Sequence, residues 1–451
     1  MDKKSSPSPN IPIHLKTAQT GTDFVGIKIT AREREITFPM GYRLTNENLV
    51  MQKIKKERRK EILNLIKSIH LCASNKKGVR ESCINGENKS DFPIRAMLFI
   101  IEDFLDRNSY YTEKETQYVK SAMGKISWNR TIKNIKPVIS TTGIAFLDFI
   151  VRKNRIQENQ LITELHKYCV YKCFEVFGFL YVQSLPEKGL LNESDVSKNR
   201  RYYAQFLQDK IDSTHLESNL ELFSNMLDFI NSFDCESEIK NASYGTHAFQ
   251  VVWEKLVDSA FGTVTQSQKE EYFYPHSKWS FKKHRNAPLR PDTIMILKDG
   301  DEKKCYIIDS KYYSYAAFQK DESDDELDST EDESFTVHGS IPGTDSIQKQ
   351  ITYAQYIDDS VENKNPHHGE FRFAPENIYN VFILPENLEE EKLRYRGKAI
   401  CEWHDNSKNY HTVHAVTLDP KFLMENSGKL NSDLQNKLKD VIKKNYRNAD
   451  F

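Results

Sequence analysis

The stretch LRPDTIMILKDGDEKKCYIIDSKYYSY, Leu289–Tyr315, carries two aspartates, Asp292 and Asp309, and a lysine, Lys311, around two apolar runs. Asp292 opens the first run and Asp309 closes the second. A turn rich in Gly, Asp and Lys (298–304) lies between them. Two strands joined by such a turn pair antiparallel, so the start of the first lies beside the end of the second. That brings Asp292 next to Asp309. Asp309 and Lys311 are i and i+2 on a strand and project to one face. Two carboxylates and a lysine then meet at one sheet edge. Hard carboxylate oxygens suit Mg²⁺, which keeps waters for chemistry. The cation polarises a phosphoryl oxygen and acidifies water, and the lysine orients a nucleophile or offsets charge developing at phosphorus. A surface hairpin tied by a salt bridge is the competing reading.

Two neighbouring segments can complete such a site. In YGTHAFQVVWEKLVDSAFG (Tyr244–Gly262), Phe249, Val252, Trp253 and Leu256 form an apolar helical face, and Glu254 sits off it. Glu254 is either a further metal ligand or a solvated glutamate. In DSIQKQITYAQY (Asp345–Tyr356), Gln350 and Tyr353 are i and i+3. Gln350 can support a water or a phosphate; a plain amphipathic core helix is the rival. Lys278, Lys282, Lys283, His284, Arg285 and Arg290 precede Asp292, with Trp279 and Phe281 interleaved, a basic loop that suits a polyanion.

The elements that must position these residues read as an α+β chain. Residues 1–22 are polar and Pro/Ser-rich and are expected to be flexible. Phe24–Tyr42 alternates like a short hairpin ended by Pro39 and Gly41. Helices are expected from Asn46 to about His70, over 94–107, 155–182 and 214–233, with a loop over 184–200. Residues 23–238 thus form a mostly helical region with a short β-hairpin, assigned to DNA recognition or clamping. From 239 to 451 a helix over 245–260 precedes β-type runs at Glu271–Tyr274, Thr293–Leu297, Tyr306–Ile308, Ile378–Leu384 and Thr412–Val416, with a helix at 344–357 among them. That pattern predicts an α/β domain with a mixed central sheet. Within it, nine of the fourteen residues Asp321–Ser334 are acidic, so a disordered insertion is expected over 321–340. It is either inert or a DNA mimic.

Composition narrows the function classes. The chain has 451 residues with 64 Lys and Arg against 65 Asp and Glu, so any nucleic-acid surface must be local. Seven cysteines without regular spacing argue for a reduced, cytoplasmic chain. No apolar stretch approaches a membrane span and no secretory signal is visible. There is no GxxxxGK[ST] loop, so the chain is not expected to hydrolyse nucleotides.

Two further groupings of residues each admit a functional and a structural reading. Tyr111–Lys136 fits a helix-turn-helix: Thr112 and Glu115 form a capping box, Gly124 turns the chain, and Ser127 caps a helix presenting Trp128, Asn129, Arg130 and Lys133 to DNA. A helical hairpin in the core is the alternative. His166, Cys169 and Cys173 share a helix face and read as buried core rather than a zinc site.

The Pro-Asp…Asp-x-Lys arrangement resembles the PD-(D/E)XK nuclease superfamily. Together with FPMGY (Phe38–Tyr42), GKISWNRTIKNIKP (Gly124–Pro137), YGTHAFQVVWEKL (Tyr244–Leu256), RPD (Arg290–Asp292), DSKYY (Asp309–Tyr313) and KQITY (Lys349–Tyr353), it resembles the LlaJI-type restriction endonucleases, which are similar to the McrC nuclease subunit. The resemblance implies a Mg²⁺-dependent type II restriction enzyme that cuts double-stranded DNA. Its catalytic residues would be Asp292, Asp309 and Lys311, with Glu254 and Gln350 in support. The metal set would be Asp292, Asp309 and the Ser310 backbone carbonyl, with Glu254 added and Mn²⁺ as a substitute. DNA contacts are expected from Trp128, Asn129, Arg130, Lys133, Lys282, Lys283, Arg285 and Arg290. The expected partners are duplex DNA, a second copy of the chain or an NTP-hydrolysing subunit, and a companion methyltransferase. A DNA-binding module without catalysis is the alternative from another class.

Overall fold

Alternating apolar residues near the N-terminus build a sheet larger than a hairpin in the computed structural model of the chain. The structure describes residues 11–30, 32–44, 50–51, 56–73, 93–140, 143–156, 160–181, 185–232, 241–277, 279, 286–314, 317–320, 335–338, 340–361, 371–389, 391–401, 403–404 and 407–447. The strands are Ile13–Thr17 (β1), Val25–Thr30 (β2), Arg34–Phe38 (β3) and Val50–Met51 (β4). The expected hairpin is β2–β3, which pair antiparallel. The expected flexible N-terminus is corrected in part: Ile13 and Leu15 are buried, and β1 runs parallel to β3. Helix α1 (Lys56–Ala73) buries Ile62, Leu65, Ile66 and Ile69. Arg58 in its basic stretch pairs with Glu61 at 2.5 Å. Asn46 and Lys53–Lys55 lie outside the described residues.

The chain divides into two compact units. One comprises 1–89 with 241–451, and the other, 90–240, is inserted between them. The expected border near 238 falls at the end of the insertion. The residues before 90, however, fold with the C-terminal part instead of joining the helical region.

The inserted unit is built from α2 (Ile94–Arg107), β5 (Lys114–Lys120), β6 (Lys125–Ile126), α3 (Trp128–Asn134), β7 (Val138–Ser140), β8 (Gly143–Ala145), β9 (Ile150–Ile156), α4 (Leu161–Tyr181), α5 (Glu193–Lys198), α6 (Arg200–Ser213) and α7 (Glu217–Ser232). Helices α2, α4 and α7 pack together, and α6 packs on α7. The expected loop over 184–200 carries α5, capped by Asn192, whose side chain accepts from the Asp195 N–H at 2.9 Å. The helix-turn-helix is corrected: its first helix is the strand β5. The KETQYVK sequence pairs antiparallel with β9, a partner some thirty residues away that local capping signals do not reveal.

The chain re-enters the first unit through β10 (Asn241–Thr246), which pairs with β2. Gly245 stands opposite Gly26, whose φ is +147°. A Cβ on Gly26 would fall inside contact distance of the Tyr244 carbonyl, so glycine lets the two strands close. Helix α8 (Phe249–Phe261) follows and packs against α1. The β-type run at Glu271–Tyr274 is corrected: Lys269–Phe273 forms a π-helical turn. Then come β11 (Thr293–Asp299), β12 (Glu302–Ser310), β13 (Ala317–Lys320), β14 (Phe335–His338), α9 (Thr344–Ile357), β15 (Ile378–Pro385), β16 (Leu393–Ile400), β17 (Thr412–Leu418), α10 (Pro420–Glu425) and α11 (Ser432–Arg447). The second sheet has the order β11-β12-β15-β17-β16. Its β12–β15 and β15–β17 pairs are parallel and its outer pairs antiparallel, the mixed sheet expected. Central strand β15 is buried throughout, as a strand covered on both faces must be. Residues 321–334 lie outside the described residues, but β14 pairs with β13, so the part of the expected insertion at Phe335–His338 is a strand. No described helix is long and apolar enough to cross a membrane.

Candidate active site

Strands β11 and β12 pair in the register Thr293↔Ile308, which sets Asp292 opposite Asp309. The Ser310 N–H donates to Asp292 Oδ2 at 2.8 Å, so one carboxylate is fixed by the backbone beside the other. The Lys311 N–H donates to the Ile383 carbonyl of β15 at 2.9 Å, which holds the strand end in the sheet. Lys311 Nζ lies 2.6 Å from Asp309 Oδ2. The antiparallel pairing and the shared face of Asp309 and Lys311 are therefore as expected.

Glu254 reaches the same edge from α8. Burial pushes its carboxyl up, the charge of Asp309 adds to that, and Lys311 and Lys349 oppose it. Asp292 is pushed up to about 7, by burial first and then by Asp309 and Glu254. Three carboxyls thus crowd one another without enough positive charge to balance them. Helix α9 packs on β12, brings Tyr353 within electrostatic reach of Asp309 and Asp292, and carries Gln350 one turn before it. Gln350 is 1% exposed, and neither its amide oxygen nor its nitrogen has a hydrogen-bond partner. Burial and the charges of Asp309 and Asp292 raise the Tyr353 hydroxyl.

Asp258, Lys269 and Thr293, which carry no signal in the sequence, brace this edge together with Tyr353. Lys269 is 2% exposed; its Nζ donates to Asp258 Oδ1 at 2.5 Å and to the Asp292 carbonyl at 2.7 Å. The Thr293 hydroxyl donates to the same Asp258 oxygen at 3.1 Å. Tyr353 Oη donates to the Arg290 carbonyl at 3.0 Å. Lys269 sits in the π-helical turn, an irregularity frequent near functional sites. Local pattern cannot announce it, because its partners lie 11 and 23 positions away.

The donor set fits a hard cation. Asp309 Oδ2 is buried with Lys311 as its ion-pair neighbour and no hydrogen bond, and the hydroxyl of the next residue, Ser310, and the Gln350 amide on α9 are buried without partners too. Buried polar atoms seldom stay unpaired unless a ligand completes them. Among the described residues no three His, Cys, Asp or Glu side chains are arranged to hold a metal by themselves. A cation here would have to draw on Asp292, Asp309 and a backbone carbonyl, since Glu254 does not complete a three-carboxylate set with them as placed.

The other expected residues are dispersed. Arg290 is exposed, its guanidinium 6.0 Å from the Tyr274 ring centroid. Lys282, Lys283 and Arg285, with Lys278 and His284, lie outside the described residues. Trp128, Asn129, Arg130 and Lys133 lie on α3 in the inserted unit and are exposed. His166 accepts from the Tyr111 N–H at 2.9 Å, and burial lowers it to about 3, as befits a neutral core histidine beside buried Cys169 and Cys173.

The chain resembles known proteins over most of its length. A curated relative, the Type II restriction enzyme BsuMI component YdjA of Bacillus subtilis (strain 168), is 24% identical over 292 residues, 60% of this chain and 56% of the relative. The chain thus spans little more than half the length of that relative. Among solved structures, a half-complex of Thermococcus gammatolerans McrB AAA+ hexamers with bound McrC is similar at a TM-score of 0.31 and 11% identity, covering 93% of this chain and 82% of that one. The McrBC complex of the same organism gives a TM-score of 0.21 at 9% identity over 55% of this chain and 71% of that one. Both likenesses are too distant to support an argument. The model of the LlaJI restriction endonuclease family matches residues 24–403, a span that includes Glu254, Asp292, Asp309, Lys311 and Gln350, and the chain belongs to that family.

Proposed function

We propose that this chain is a site-specific, Mg²⁺-dependent endonuclease of the PD-(D/E)XK kind that hydrolyses phosphodiester bonds of double-stranded DNA in a prokaryotic system of defence against phage. The observation that carries the reading is the β11–β12 register, which sets Asp292 opposite Asp309, with Lys311 Nζ 2.6 Å from Asp309. Asp292, Asp309 and the Ser310 carbonyl would hold the cation, and Glu254 would join them. A bound Mg²⁺, with Mn²⁺ as a substitute, lends positive charge to a phosphoryl oxygen and acidifies water. Lys311 orients the attacking water by hydrogen bonding and offsets the charge that builds on phosphorus. Gln350 offers its unpaired amide to a water or a phosphate oxygen. Arg290, exposed beside Asp292, meets the DNA backbone, and Lys282, Lys283 and Arg285 extend that contact. The protein works in the cytoplasm beside a companion methyltransferase that protects host DNA.

Asp309→Asn tests the assignment. It keeps the shape and removes one negative charge, so cleavage falls by orders of magnitude while duplex DNA binding persists. A folded Asp309→Asn protein that cuts at the wild-type rate would sink the assignment.

The relative's name, a component of a type II enzyme, favours a second reading in which the chain cuts only as one subunit of a larger enzyme. Cleavage by the purified chain alone, without nucleotide, decides against it. Cleavage that appears only with an NTP-hydrolysing subunit decides for it.

A further inference from the structure

Residues Lys114–Ile156 of the inserted unit stand apart in charge and in burial. Nine Lys and Arg face two Asp and Glu in this segment, whereas the whole chain is balanced at 64 against 65. Among its described side chains only Thr131 and Val151 are buried. The three-stranded sheet β5-β9-β6 is its frame.

Register gathers the cations. Tyr118 of β5 and Lys125 of β6 both stand opposite Arg152 of β9, so the three share one face. Lys120, two along from Tyr118, shares it. The Arg130 guanidinium lies 3.9 Å over the Tyr118 ring, and that ring is still 41% exposed. Arg130 is therefore held on an open surface by an aromatic platform rather than by a carboxylate.

The β7–β8 hairpin adds apolar surface. Ile139 and Ile144 are cross-strand partners, 77% and 69% exposed. An exposed apolar pair of this kind marks a contact surface. The charge excess around it selects a polyanion. Cations neutralise phosphates, and apolar side chains wedge between base steps from the minor groove. A protein partner would account for the isoleucines but not for a net charge of seven in forty-three residues.

We propose that Lys114–Ile156 is a duplex-DNA-binding arm. Its Tyr118–Lys125–Arg130–Arg152 face holds the phosphate backbone, and the Ile139–Ile144 pair wedges into the minor groove. This rests on duplex DNA being the substrate.

The test uses the full chain carrying Asp309→Asn, so that DNA is not consumed. Affinity for a labelled random-sequence duplex is followed across salt concentration, and cleavage by the otherwise wild-type chain is measured in parallel. Each lost phosphate contact lowers the salt slope by about 0.9. Lys125→Gln with Arg130→Gln therefore lowers the slope by roughly 2. Ile139→Ser with Ile144→Ser, exposed and harmless to folding, leaves the slope unchanged, weakens binding about tenfold and reduces duplex bending, seen by energy transfer between end labels. Unchanged slope and affinity in both variants, while the parent still cuts duplex DNA, overturns the arm and leaves the nuclease reading standing. A parent that neither binds nor cuts duplex DNA ends both. Duplex affinity unchanged in the isoleucine variant, with loss of binding to a protein subunit, makes the hairpin a subunit interface and overturns the wedge.

Discussion

The β11–β12 edge and the Lys114–Ile156 segment both gather charge, and they hold it in opposite ways. At the edge, carboxyls are crowded, partly buried and cross-braced: the Asp292 carboxylate by the Ser310 N–H, its carbonyl by Lys269, and the preceding carbonyl of Arg290 by Tyr353. In the segment, cations stand on an open face, and among its described side chains only two are buried. Chemistry on phosphorus demands groups fixed to a fraction of an ångström, and burial with bracing supplies that. Contact with a long polyanion demands exposed charge, which loses little on being left in water. On the proposed function, preorganisation at one place and exposure at the other would let a chain of near-zero net charge address DNA locally.

The largest effect that can break this contrast lies at Lys311. Lys311→Ala removes the ammonium that lies 2.6 Å from Asp309. Cleavage is expected to fall by about 10²–10³-fold, the usual loss for a group that stabilises transition-state charge. Duplex binding should change little. If cleavage persists in single-turnover assays, Lys311 is only a salt-bridge partner.

Next comes the bracing. Lys269→Met strips the Asp292 carbonyl of its donor and leaves Asp258 with only the more distant Lys255 ammonium, 4.0 Å away. Breaking one side of a fully buried pair costs about 3–5 kcal/mol; Asp258 is 25% exposed and keeps Thr293, so the loss is smaller, but the variant melts earlier. Asp258→Leu added to Lys269→Met removes the charge left behind and should recover most of the stability. If Lys269 positions the site, the double variant still needs about 10–100-fold more Mg²⁺ for half-maximal cleavage, the range typical of outer supporting groups. Recovery of stability and Mg²⁺ dependence together would make the pair structural only.

How far the sequence carried the reading depends on how local the decisive contact is. The β11–β12 hairpin is legible because turn and strands are contiguous, and α9 appears at 344–357 because its apolar spacing is helical throughout. Asp292, Asp309 and Lys311 follow from pairing parity alone. What was missed depends on distant partners. β5 looked helical because Thr112 and Glu115 mimic a cap, while the strand β9 that overrides the cap lies downstream. β1 looked flexible because its partner β3 is a parallel neighbour across a crossover. β16 shows little alternation because most of its residues are half-buried. Lys269 looked unremarkable because its value lies in a carbonyl 23 positions on.

The crowding of carboxyls also predicts a pH effect on stability. Burial and the neighbouring carboxyls push folded Asp292 up to about 7, from the 3.8 of an ordinary aspartate. Between those values folding takes up a proton, so this group's contribution to stability is present below pH 4 and is lost as pH rises toward 7. In cation-free buffer Asp292→Asn should therefore melt at least about 2 °C above the parent at pH 7, roughly what 1 kcal/mol shifts in a large domain, and level with it near pH 4. Mg²⁺ should stabilise the parent and not the variant, reversing the order. A parent already more stable than Asp292→Asn in cation-free buffer at pH 7 would mean that the carboxyls are balanced within the protein.

The smallest effect tests the open face. Ile132 and Ile139 are 62% and 77% exposed, so neither contributes packing that folding would lose. Ile132→Ser and Ile139→Ser should each change stability by less than about 0.5 kcal/mol, as surface substitutions do. Ile307, 1% exposed on β12, should cost about 2–5 kcal/mol as Ile307→Ala. The measurement is urea unfolding followed by tryptophan fluorescence. Trp128 reports on the segment, where it packs edge-on against Phe146 and Phe149, and Trp253 reports on α8 beside the candidate site. In a background with Trp279→Phe and Trp403→Phe, conservative Trp→Phe variants of one or the other separate the two signals. If Ile139→Ser lowers the midpoint seen by Trp128 as much as Ile307→Ala lowers that seen by Trp253, the isoleucines are packed in solution. The segment would then be an ordinary folded core, and its apolar hairpin would no longer need a partner to explain it.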